Sequence, residues 1–450
     1  MKVKLTDKFV DEIFMIGNTT HEKYIVNQVI RCLLDYLGVT FAGSKILENK
    51  ALKLLSKNTS NLNGYSVIGL DKKTDISTSI LLNGLFSHVA ELDDGTRFGM
   101  IHPGAPIFSA MLPVAKSRNI KPKDFINGVI VAYETSIRLA YGMQPSHYAL
   151  GFHPTATCGS IGVSAGISTM LGFSKKKLKD AMSSAMISSA GSLKVIEDSS
   201  QLKPLNAGRP AVVGYFSSIM AEAGFEGPSD ALGGKTGFLS MMSTSFDLSK
   251  LIKNNTYPKL SIELIYFKPY AACRHAHPSI EATLELKSKG LSPNEIKKIN
   301  VHTYGTIIGK HDHNEIHGVS SAKMSIPFSI ALSFCIGSAG INDYSLENLH
   351  DNKILELANK VKVFAKKEFS DLVPNKRIAL MEVETYDGKF YSKKIEFPKG
   401  EPENQLNDSE IQNKFFNLMR FAGKDLTYSK KIKNNVYNIE TKFQTLLNLL

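Results

Sequence analysis

Cysteine is scarce in this sequence, and its four copies lie far apart among 450 residues: Cys32, Cys158, Cys273 and Cys335. No two of them form the C-x-x-C spacing of zinc ribbons and iron–sulfur proteins, so the sequence predicts neither kind of site. A disulfide framework is also unexpected, because such frameworks support small secreted domains rather than chains of this length.

Long apolar runs are missing as well. No stretch approaches the ~18 uninterrupted apolar residues that would span a bilayer. The N-terminal residues lack the apolar segment and the small-residue cleavage site of a secretory signal. A hydrophobic content of 43% and a charged content of 21% suit a folded globular chain rather than a disordered one. We therefore expect a cytoplasmic protein without a membrane partner.

Signals for nucleotides and nucleic acids are also absent. The glycine-rich segment 233–237 lacks the full spacing of a phosphate-binding loop and the strand that should precede it. The net charge of +12 comes from lysines spread along the chain, without a basic motif interleaved with aromatic residues. The sequence thus predicts no cofactor and no nucleic-acid partner, and its positive charge favours a small anionic ligand.

Residues 1–265 predict a helical domain. Their apolar residues recur at helical spacing, as in the helix that begins near Tyr24 and is expected to end at Gly38. Two segments rich in small residues, 158–168 and 181–191, predict helices that pack with their backbones close together. Such helices belong at the centre of a bundle.

A smaller α+β domain is predicted for residues 266–400. Apolar and polar residues alternate there as in strands, and Asp387-Gly388 is a hairpin signal between two of them. Residues 401–450 are helical again, with Asp408 as the expected helix cap, and are expected to complete the first domain. The predicted fold class is α+β, with a large all-α domain and a smaller α+β domain.

Three histidines directly precede proline: His102, His153 and His277. Random pairing of 12 histidines with 17 prolines in 450 residues would give about 0.45 such pairs. Proline suits the first turn of a helix and disfavours helical dihedral angles in the residue before it. Each histidine is therefore expected at a helix entrance, where partial positive charge favours bound carboxylates and a neutral imidazole. Singly they would only cap helices, but together they predict a site for proton transfer.

Cations occur in pairs near two predicted helix starts. Lys203 and Arg209 adjoin a small-residue helix, and Lys268 and Arg274 precede His277 within ten residues. Paired cations suit a clamp for carboxylates. A solvated loop is the alternative interpretation, but the small and apolar residues between Lys268 and Arg274 argue against it.

Hydroxyl and carboxyl groups flank the other two His-Pro pairs. Tyr148 precedes His153, and Asp93, Asp94 and Thr96 precede His102. Adjacent acids followed by glycine and threonine are typical of a turn or a helix cap, but they could also orient a histidine or bind a substrate.

The segment His311–His317 contains three histidines and two acids. Its spacing matches no metal-binding motif with a known mechanism, and its composition is typical of an exposed loop. No metal site is predicted.

The sequence resembles the MmgE/PrpD family along essentially its whole length. The segments that carry the likeness follow one another in order: 88–104, 133–134, 151–156, 203–208, 224–228, 268–277 and 400–415. The resemblance implies an all-α domain joined to a smaller α+β domain, assembly as a homodimer, and catalysis that needs no metal. Activities in the family include 2-methylcitrate dehydratase, cis-aconitate decarboxylase and iminodisuccinate epimerase, and all begin by moving a proton beside a carboxylate.

Likeness to the decarboxylase branch also implies a set of pocket residues. These are Asp93, Asp94, Thr96, His102, His153, Lys203 and His277, assisted by Lys268. One departure concerns a tyrosine of that branch, since the matching stretch here is Ser325-Ile326-Pro327-Phe328. Loss of that hydroxyl disfavours decarboxylation of cis-aconitate.

The sequence therefore predicts a carbon–oxygen lyase that dehydrates a small polycarboxylate such as 2-methylcitrate, citrate or a cis-aconitate-like acid. His102 or His153 would remove the proton, and His277 or Tyr148 would act as the second acid. Lys203, Lys268, Arg274 and Arg209 would hold carboxylates. Two alternatives stay open: an epimerase of a dicarboxylate such as iminodisuccinate, and a non-catalytic carboxylate-binding protein.

Overall fold

The structure, a computed structural model, describes residues 4–57, 64–197, 200–253 and 259–450. The chain forms two compact units. Unit 1 comprises Met1–Val195, Leu202–Ile265 and Asn407–Leu450, and unit 2 comprises Ile196–Gln201 and Tyr266–Leu406. Apart from the short segment 196–201, the chain divides after residue 265 and again after residue 406. The domain boundaries predicted from the sequence stay predictions.

Unit 1 is almost entirely helical. Its helices are α1 (Leu5–Gly17), α2 (Lys23–Leu55), α3 (Ile76–Val89), α4 (Gly104–Ser117), α5 (Pro122–Met143), α6 (Ser146–Ala149), α7 (Pro154–Met170), α8 (Lys175–Ser188), α9 (Lys194–Glu197), which crosses into unit 2, α10 (Leu205–Glu222), α11 (Phe238–Met242) and α12 (Leu248–Leu251). A 3₁₀ helix follows at Ser261–Leu264. Two short antiparallel strands, β1 (Tyr65–Ser66) and β2 (Lys73–Thr74), form a small sheet.

Helix α2 is longer than the sequence suggested. It runs without interruption through Gly38 to Leu55, so the prediction that it ends at Gly38 is wrong. A Cβ atom at Gly38 would lie 3.3 Å from side-chain atoms of Phe415 and Leu418, so this glycine serves close packing against a C-terminal helix. By length and composition α2 could cross a membrane, but 78% of its most apolar window is buried inside the protein, as in a core helix.

Small residues let the helices of unit 1 approach closely, as predicted. A Cβ atom at Gly162 of α7 would lie 2.6 Å from the carbonyl oxygen of Ala132 on α5. Where α3 meets α10, a Cβ atom at Gly84 would lie 2.4 Å from the Cα of Gly208. No larger side chain fits these contacts, so glycine fixes how closely the helix axes approach.

Unit 2 contains a four-stranded sheet of order β4-β3-β5-β6. Its strands are β3 (Ile296–Thr303), β4 (Val361–Ala365), β5 (Ala379–Thr385) and β6 (Phe390–Ile395). Strand β3 pairs in parallel with β4 and antiparallel with β5, and the predicted hairpin joins β5 to β6 through Gly388, whose φ is 80°. The helices of this unit are α13 (His277–Ser288), α14 (Val319–Met324), α15 (Ile326–Ile336), α16 (Leu346–Leu349), α17 (Asn352–Asn359) and α18 (Lys367–Ser370).

Three further helices return the chain to unit 1: α19 (Asp408–Phe421), α20 (Leu426–Tyr437) and α21 (Ile439–Leu449). The predicted α+β class, with one large helical part and one smaller mixed part, is confirmed.

Two predicted helix starts differ in detail. His277 has helical dihedral angles, φ −57° and ψ −44°, and is the first residue of α13, so the expectation that it lies outside the helix is wrong. The cause is the 3₁₀ turn Arg274–Ala276, which runs directly into α13. At α19 the cap is Asn407 rather than Asp408, because the Asn407 side chain and Glu410 form a reciprocal capping box.

Candidate active site

Three histidines and one lysine lie at or near the ends of four helices in unit 1. His88 lies in the last turn of α3, His102 lies two residues before α4, and His153 is the N-cap residue of α7. Lys203 lies two residues before α10. Helices α4 and α10 contact each other, and both contact α3 and α7. Packing of the helices thus gathers their ends into one region.

The three imidazoles form a cluster, called here the histidine cluster (His88, His102 and His153). The ring centroid of His88 lies 5.1 Å from that of His102 and 6.2 Å from that of His153. Asp93 Oδ2 lies 2.6 Å from His88 Nδ1 and 3.4 Å from His102 Nδ1. A single carboxylate therefore lies against two of the three rings.

The tautomer of His102 follows from its hydrogen bonds. Its Nδ1 lies 2.7 Å from the main-chain carbonyl oxygen of Asp94. Because a carbonyl oxygen can only accept, Nδ1 donates, and the lone pair of the neutral ring is on Nε2. The main-chain N–H of His102 donates to Thr155 Oγ1 at 3.0 Å, which holds the residue at the entrance of α7.

Two nitrogens of the histidine cluster are buried without a hydrogen-bond partner among the described residues: His88 Nε2 and His153 Nδ1. Buried polar atoms normally have partners, so such a pair indicates a place where a ligand or water binds. Burial lowers the pKa of His153 well below its usual value, and the charges of His88, Lys203 and His102 act in the same direction. His153 is therefore a neutral imidazole at neutral pH.

Lys203 forms an ion pair with Glu91 beside the histidine cluster. The side chains are 12% and 7% exposed, so water screens this pair poorly. Glu91 has a φ of 57°, a left-handed conformation that costs a non-glycine residue roughly 1–2 kcal/mol. The position of the carboxylate is thus maintained against a backbone preference.

The Asp94 side chain has hydrogen-bond partners outside the histidine cluster although the residue adjoins Asp93. Its Oδ2 accepts a hydrogen bond of 2.6 Å from the Tyr133 hydroxyl, and its Oδ1 accepts one of 3.0 Å from the N–H of Gly104. Burial raises the pKa of Asp94 to about 7, although the Tyr133 hydrogen bond opposes the rise; Asp35 and Asp93 contribute to it. These contacts tie the start of α4 to α5.

The C-terminal part of unit 1 supports the same segment. Lys414 of α19 donates from Nζ to Asp35 Oδ1 at 2.5 Å and to the carbonyl oxygen of Leu92 at 2.6 Å. The chain between Glu91 and Asp94 is therefore anchored by α2 and α19.

Three other residues of unit 1 were predicted for the site, and their described contacts indicate no particular catalytic or binding role. Thr96 is buried, and its hydroxyl has no hydrogen-bond partner among the residues that the structure describes. Tyr148 is partly exposed on α6, and Arg209 donates to the carbonyl oxygen of Ala190. Their predicted roles stay predictions.

The predicted residues of unit 2 are buried. Arg274 forms an ion pair with Glu401, and their side chains are 4% and 1% exposed. Lys268 is also almost fully buried. His277 is buried in α13, with Nε2 3.2 Å from the carbonyl oxygen of Ala272 and its ring 5.2 Å from that of Tyr270. The predicted roles of Lys268, Arg274 and His277 stay predictions.

The sequence did not identify two central residues as members of the site, His88 and Glu91. The sequence did show that His88 lies only five positions before Asp93, a residue predicted for the site, and in the structure the two side chains are hydrogen-bonded. Glu91 offered none, because its partner Lys203 is 112 residues away.

One group in this region satisfies the distances of a metal site. His88, Asp93 and His102 each have a potential ligand atom within 4.8 Å of the others. The hydrogen bond between His88 and Asp93 already uses two of those groups. The prediction that the protein needs no metal stays a prediction.

Comparison with known proteins identifies the family. Residues 15–251 match the MmgE/PrpD N-terminal domain, and residues 270–435 match the MmgE/PrpD C-terminal domain. The chain belongs to the MmgE/PrpD family. The resemblance inferred from the sequence is thus confirmed.

Curated relatives of this MmgE/PrpD protein match at low identity. Cis-aconitate decarboxylase of Mus musculus is 23% identical over 412 residues, which cover 87% of this chain and 82% of that protein. The mitochondrial 2-methylcitrate dehydratase of Yarrowia lipolytica is 24% identical over 429 residues, 88% of this chain and 80% of that protein. Human cis-aconitate decarboxylase is 25% identical over 250 residues, 53% of this chain, and the match spans only half the length of that protein. Both named activities are lyase reactions, and the predicted enzyme class, a lyase of the MmgE/PrpD type, is confirmed.

Proposed function

We propose that this protein dehydrates a small hydroxylated polycarboxylate of the 2-methylcitrate or citrate class, beginning with removal of a proton beside a carboxylate. The observation that carries the proposal is the histidine cluster, which has two buried nitrogens without a hydrogen-bond partner among the described residues and whose His153 is close enough to Lys203 and Glu91 to interact with their charges. Proton removal needs a neutral imidazole, and the developing negative charge needs a nearby cation.

His102 is the proposed base. Its Nδ1–H donates to the Asp94 carbonyl oxygen, so the neutral ring presents Nε2 as the basic atom. Its side chain is 14% exposed, whereas that of His88 is completely buried, so a substrate has better access to His102. His153, the other base considered from the sequence, would remain a neutral neighbour that hydrogen-bonds the substrate.

The remaining roles follow the sequence and the family. Lys203 would stabilise the carbanion, and Lys268 and Arg274 would bind carboxylates. A proton from His277 or Tyr148 would join the departing hydroxide, so the products are an unsaturated acid and water. Afterwards His102 releases the proton that it removed to solvent, and the acid takes up a proton from solvent, so that both groups return to their starting forms.

Decarboxylation of cis-aconitate is the second candidate. The names of the mouse and human relatives favour it. The buried Phe328 argues against it, because this residue falls in the stretch where the decarboxylase branch has a tyrosine. The cytoplasmic location and the homodimeric assembly inferred from the sequence are retained as proposals.

An NMR assay in D₂O separates these reactions. The protein is incubated with 2-methylcitrate, citrate, cis-aconitate and iminodisuccinate, and products and deuterium incorporation are followed. Formation of an unsaturated acid from 2-methylcitrate or citrate is the expected result. Loss of carbon dioxide from cis-aconitate would favour the second candidate, and label without net product would favour an epimerase.

Two variants connect the reaction to the site. His102→Gln should abolish turnover and label incorporation, whereas His21→Gln, which changes a half-buried histidine elsewhere in unit 1, should not. Absence of turnover and label with all four acids would refute the proposal in favour of a non-catalytic binding protein.

A further inference from the structure

Unit 2 contains a second cluster of metal-ligating side chains, apart from the residues to which a role was given above. Cys273, His275 and His311 each have a ligand atom within 4.8 Å of the other two. The rings of His275 and His311 stack with centroids 4.9 Å apart. The sequence did not reveal this group, because His311 is 36 positions beyond His275 and the segment 311–317 resembled an exposed loop. His311 is in fact only 2% exposed.

Hydrogen bonds orient both imidazoles. His311 Nδ1 lies 3.0 Å from the carbonyl oxygen of Met324, which can only accept, so Nδ1 donates. His275 Nδ1 lies 2.6 Å from the hydroxyl of Tyr304. Metal-binding histidines commonly have one ring nitrogen held in this way by a carbonyl or another polar group, which directs the other nitrogen toward the metal.

The main chain around the cluster is also fixed. The N–H of Cys273 donates to the carbonyl oxygen of Lys323 at 2.8 Å, and the N–H of Ile326 donates to that of His311 at 2.8 Å. The three side chains therefore come from segments that are hydrogen-bonded to the same short stretch, 323–326. Binding would require rearrangement of side chains only, since zinc–nitrogen and zinc–sulfur bonds are about 2.0–2.3 Å long.

We propose that Cys273, His275 and His311 bind one zinc ion, with a fourth coordination position left open. One thiolate and two imidazoles are borderline-soft ligands, a set that suits Zn²⁺ better than Mg²⁺ or Ca²⁺. Binding replaces the thiol proton of Cys273, which passes to solvent. Three protein ligands with one open position distinguish this site from a closed structural zinc site.

Positively charged side chains lie close enough to His275 to influence the cluster. Burial lowers the pKa of His275 well below its usual value, and Arg377, His311, Arg274 and Lys310 act in the same direction. Arg377, Arg274 and Lys310 repel Zn²⁺ and favour an anion, such as hydroxide or chloride, as its fourth ligand.

Zinc titration of the full-length protein by isothermal calorimetry tests the proposal. One zinc ion should bind, and Cys273→Ser and His311→Ala should each weaken binding by more than about tenfold. Tyr304→Phe keeps all three ligands but removes the hydroxyl beside His275 Nδ1, and should weaken binding roughly tenfold. The matched controls are Cys335→Ser, another partly buried cysteine of unit 2, and His317→Ala, an exposed histidine. Both should bind zinc as the unchanged protein does.

A measurement on the unchanged chain covers the case in which a variant misfolds. Zinc should protect Cys273, but not Cys335, from alkylation by iodoacetamide, as read by mass spectrometry. The proposal is refuted if the protein binds no zinc, if Cys273 is not protected, or if the controls lose binding as strongly as the ligand variants. Loss of zinc binding in Asp93→Asn alone would assign the metal to unit 1 instead. Lyase activity is measured separately, so either proposal can fail without the other.

Discussion

Replacement of Asp93 by asparagine should impair catalysis and leave the fold intact. Asp93 Oδ2 lies 2.6 Å from His88 Nδ1 and 3.4 Å from His102 Nδ1. Asparagine has nearly the same shape and keeps one accepting oxygen, but it has no charge. Asp93 is therefore a positioning residue, because its effect on a substrate passes through the imidazoles.

The magnitude follows from the loss of that charge. A hydrogen bond to a charged group contributes about 1.5–3 kcal/mol. If it strengthens when the imidazole gains a proton, Asp93→Asn should lower kcat about 10- to 150-fold, since roughly 1.4 kcal/mol corresponds to a factor of ten in rate. Removal of this nearby negative charge also disfavours the protonated form of an imidazole beside it. The acid limb of the kcat/KM profile should therefore move to lower pH, while KM changes little.

The adjacent carboxylate is the matched control. Asp94 accepts hydrogen bonds from Tyr133 and Gly104 rather than from an imidazole. Asp94→Asn should therefore lower stability more than it shifts the pH profile. Steady-state rates with 2-methylcitrate across pH, together with urea unfolding of both variants, provide the comparison. An unchanged kcat and pH profile in Asp93→Asn, or the same pH shift in both variants, would contradict the assignment.

Three further predictions concern the same region. Burial raises the pKa of Asp94 from its usual 3.8 to about 7, so between these pH values the folded protein binds more protons than the unfolded chain. The free energy of unfolding should therefore fall by up to about 4 kcal/mol as pH rises through this window. Asp94→Asn should lack this contribution, as measured by urea titrations at several pH values. Lys203→Met removes the cation of a largely buried ion pair and should destabilise the protein by roughly 3–5 kcal/mol. Adding Glu91→Gln removes the buried negative charge as well and should restore most of the stability but not the activity; equal stability of the single and double variants would contradict this. Gly84→Ala would place a Cβ atom 2.4 Å from the Cα of Gly208, so thermal unfolding should show that stability falls by ~1–3 kcal/mol or more. Turnover should also fall, because Lys203 precedes α10. Unchanged stability and unchanged turnover would mean that α3 and α10 can separate freely.

Local patterns predicted the parts of the structure that depend on neighbouring residues. Helical spacing, the Asp387-Gly388 hairpin and two of the three His-Pro helix entrances were found where expected. The exceptions have tertiary causes. Gly38 does not end α2, because α19 packs against it. His277 is already the first helical residue of α13, because a 3₁₀ turn leads into that helix.

The composition of the histidine cluster could be predicted only in part for the same reason. The His-Pro pairs identified His102 and His153, since proline reports the local backbone. Nothing local connects Glu91 with Lys203, or Cys273 with His311, because these pairs form only when distant segments pack. Sequence patterns of this kind identify residues at helix ends, but they do not identify the residues that those ends meet.

The roles of Asp93 and Asp94 illustrate how packing assigns chemistry to residues that look alike in sequence. Both were expected to bind substrate. The anchoring of this segment by Lys414 and the hydrogen bond from Tyr133 direct Asp94 toward α4 and α5, and the remaining carboxylate faces His88. The contacts that hold Asp94 in a buried position, where its pKa is about 7, therefore also help to fix the position of Asp93. A site that depends on such a division should be sensitive to how closely α3 and α4 pack, because α3 carries His88 and His102 precedes α4, and Asp93 lies against both rings.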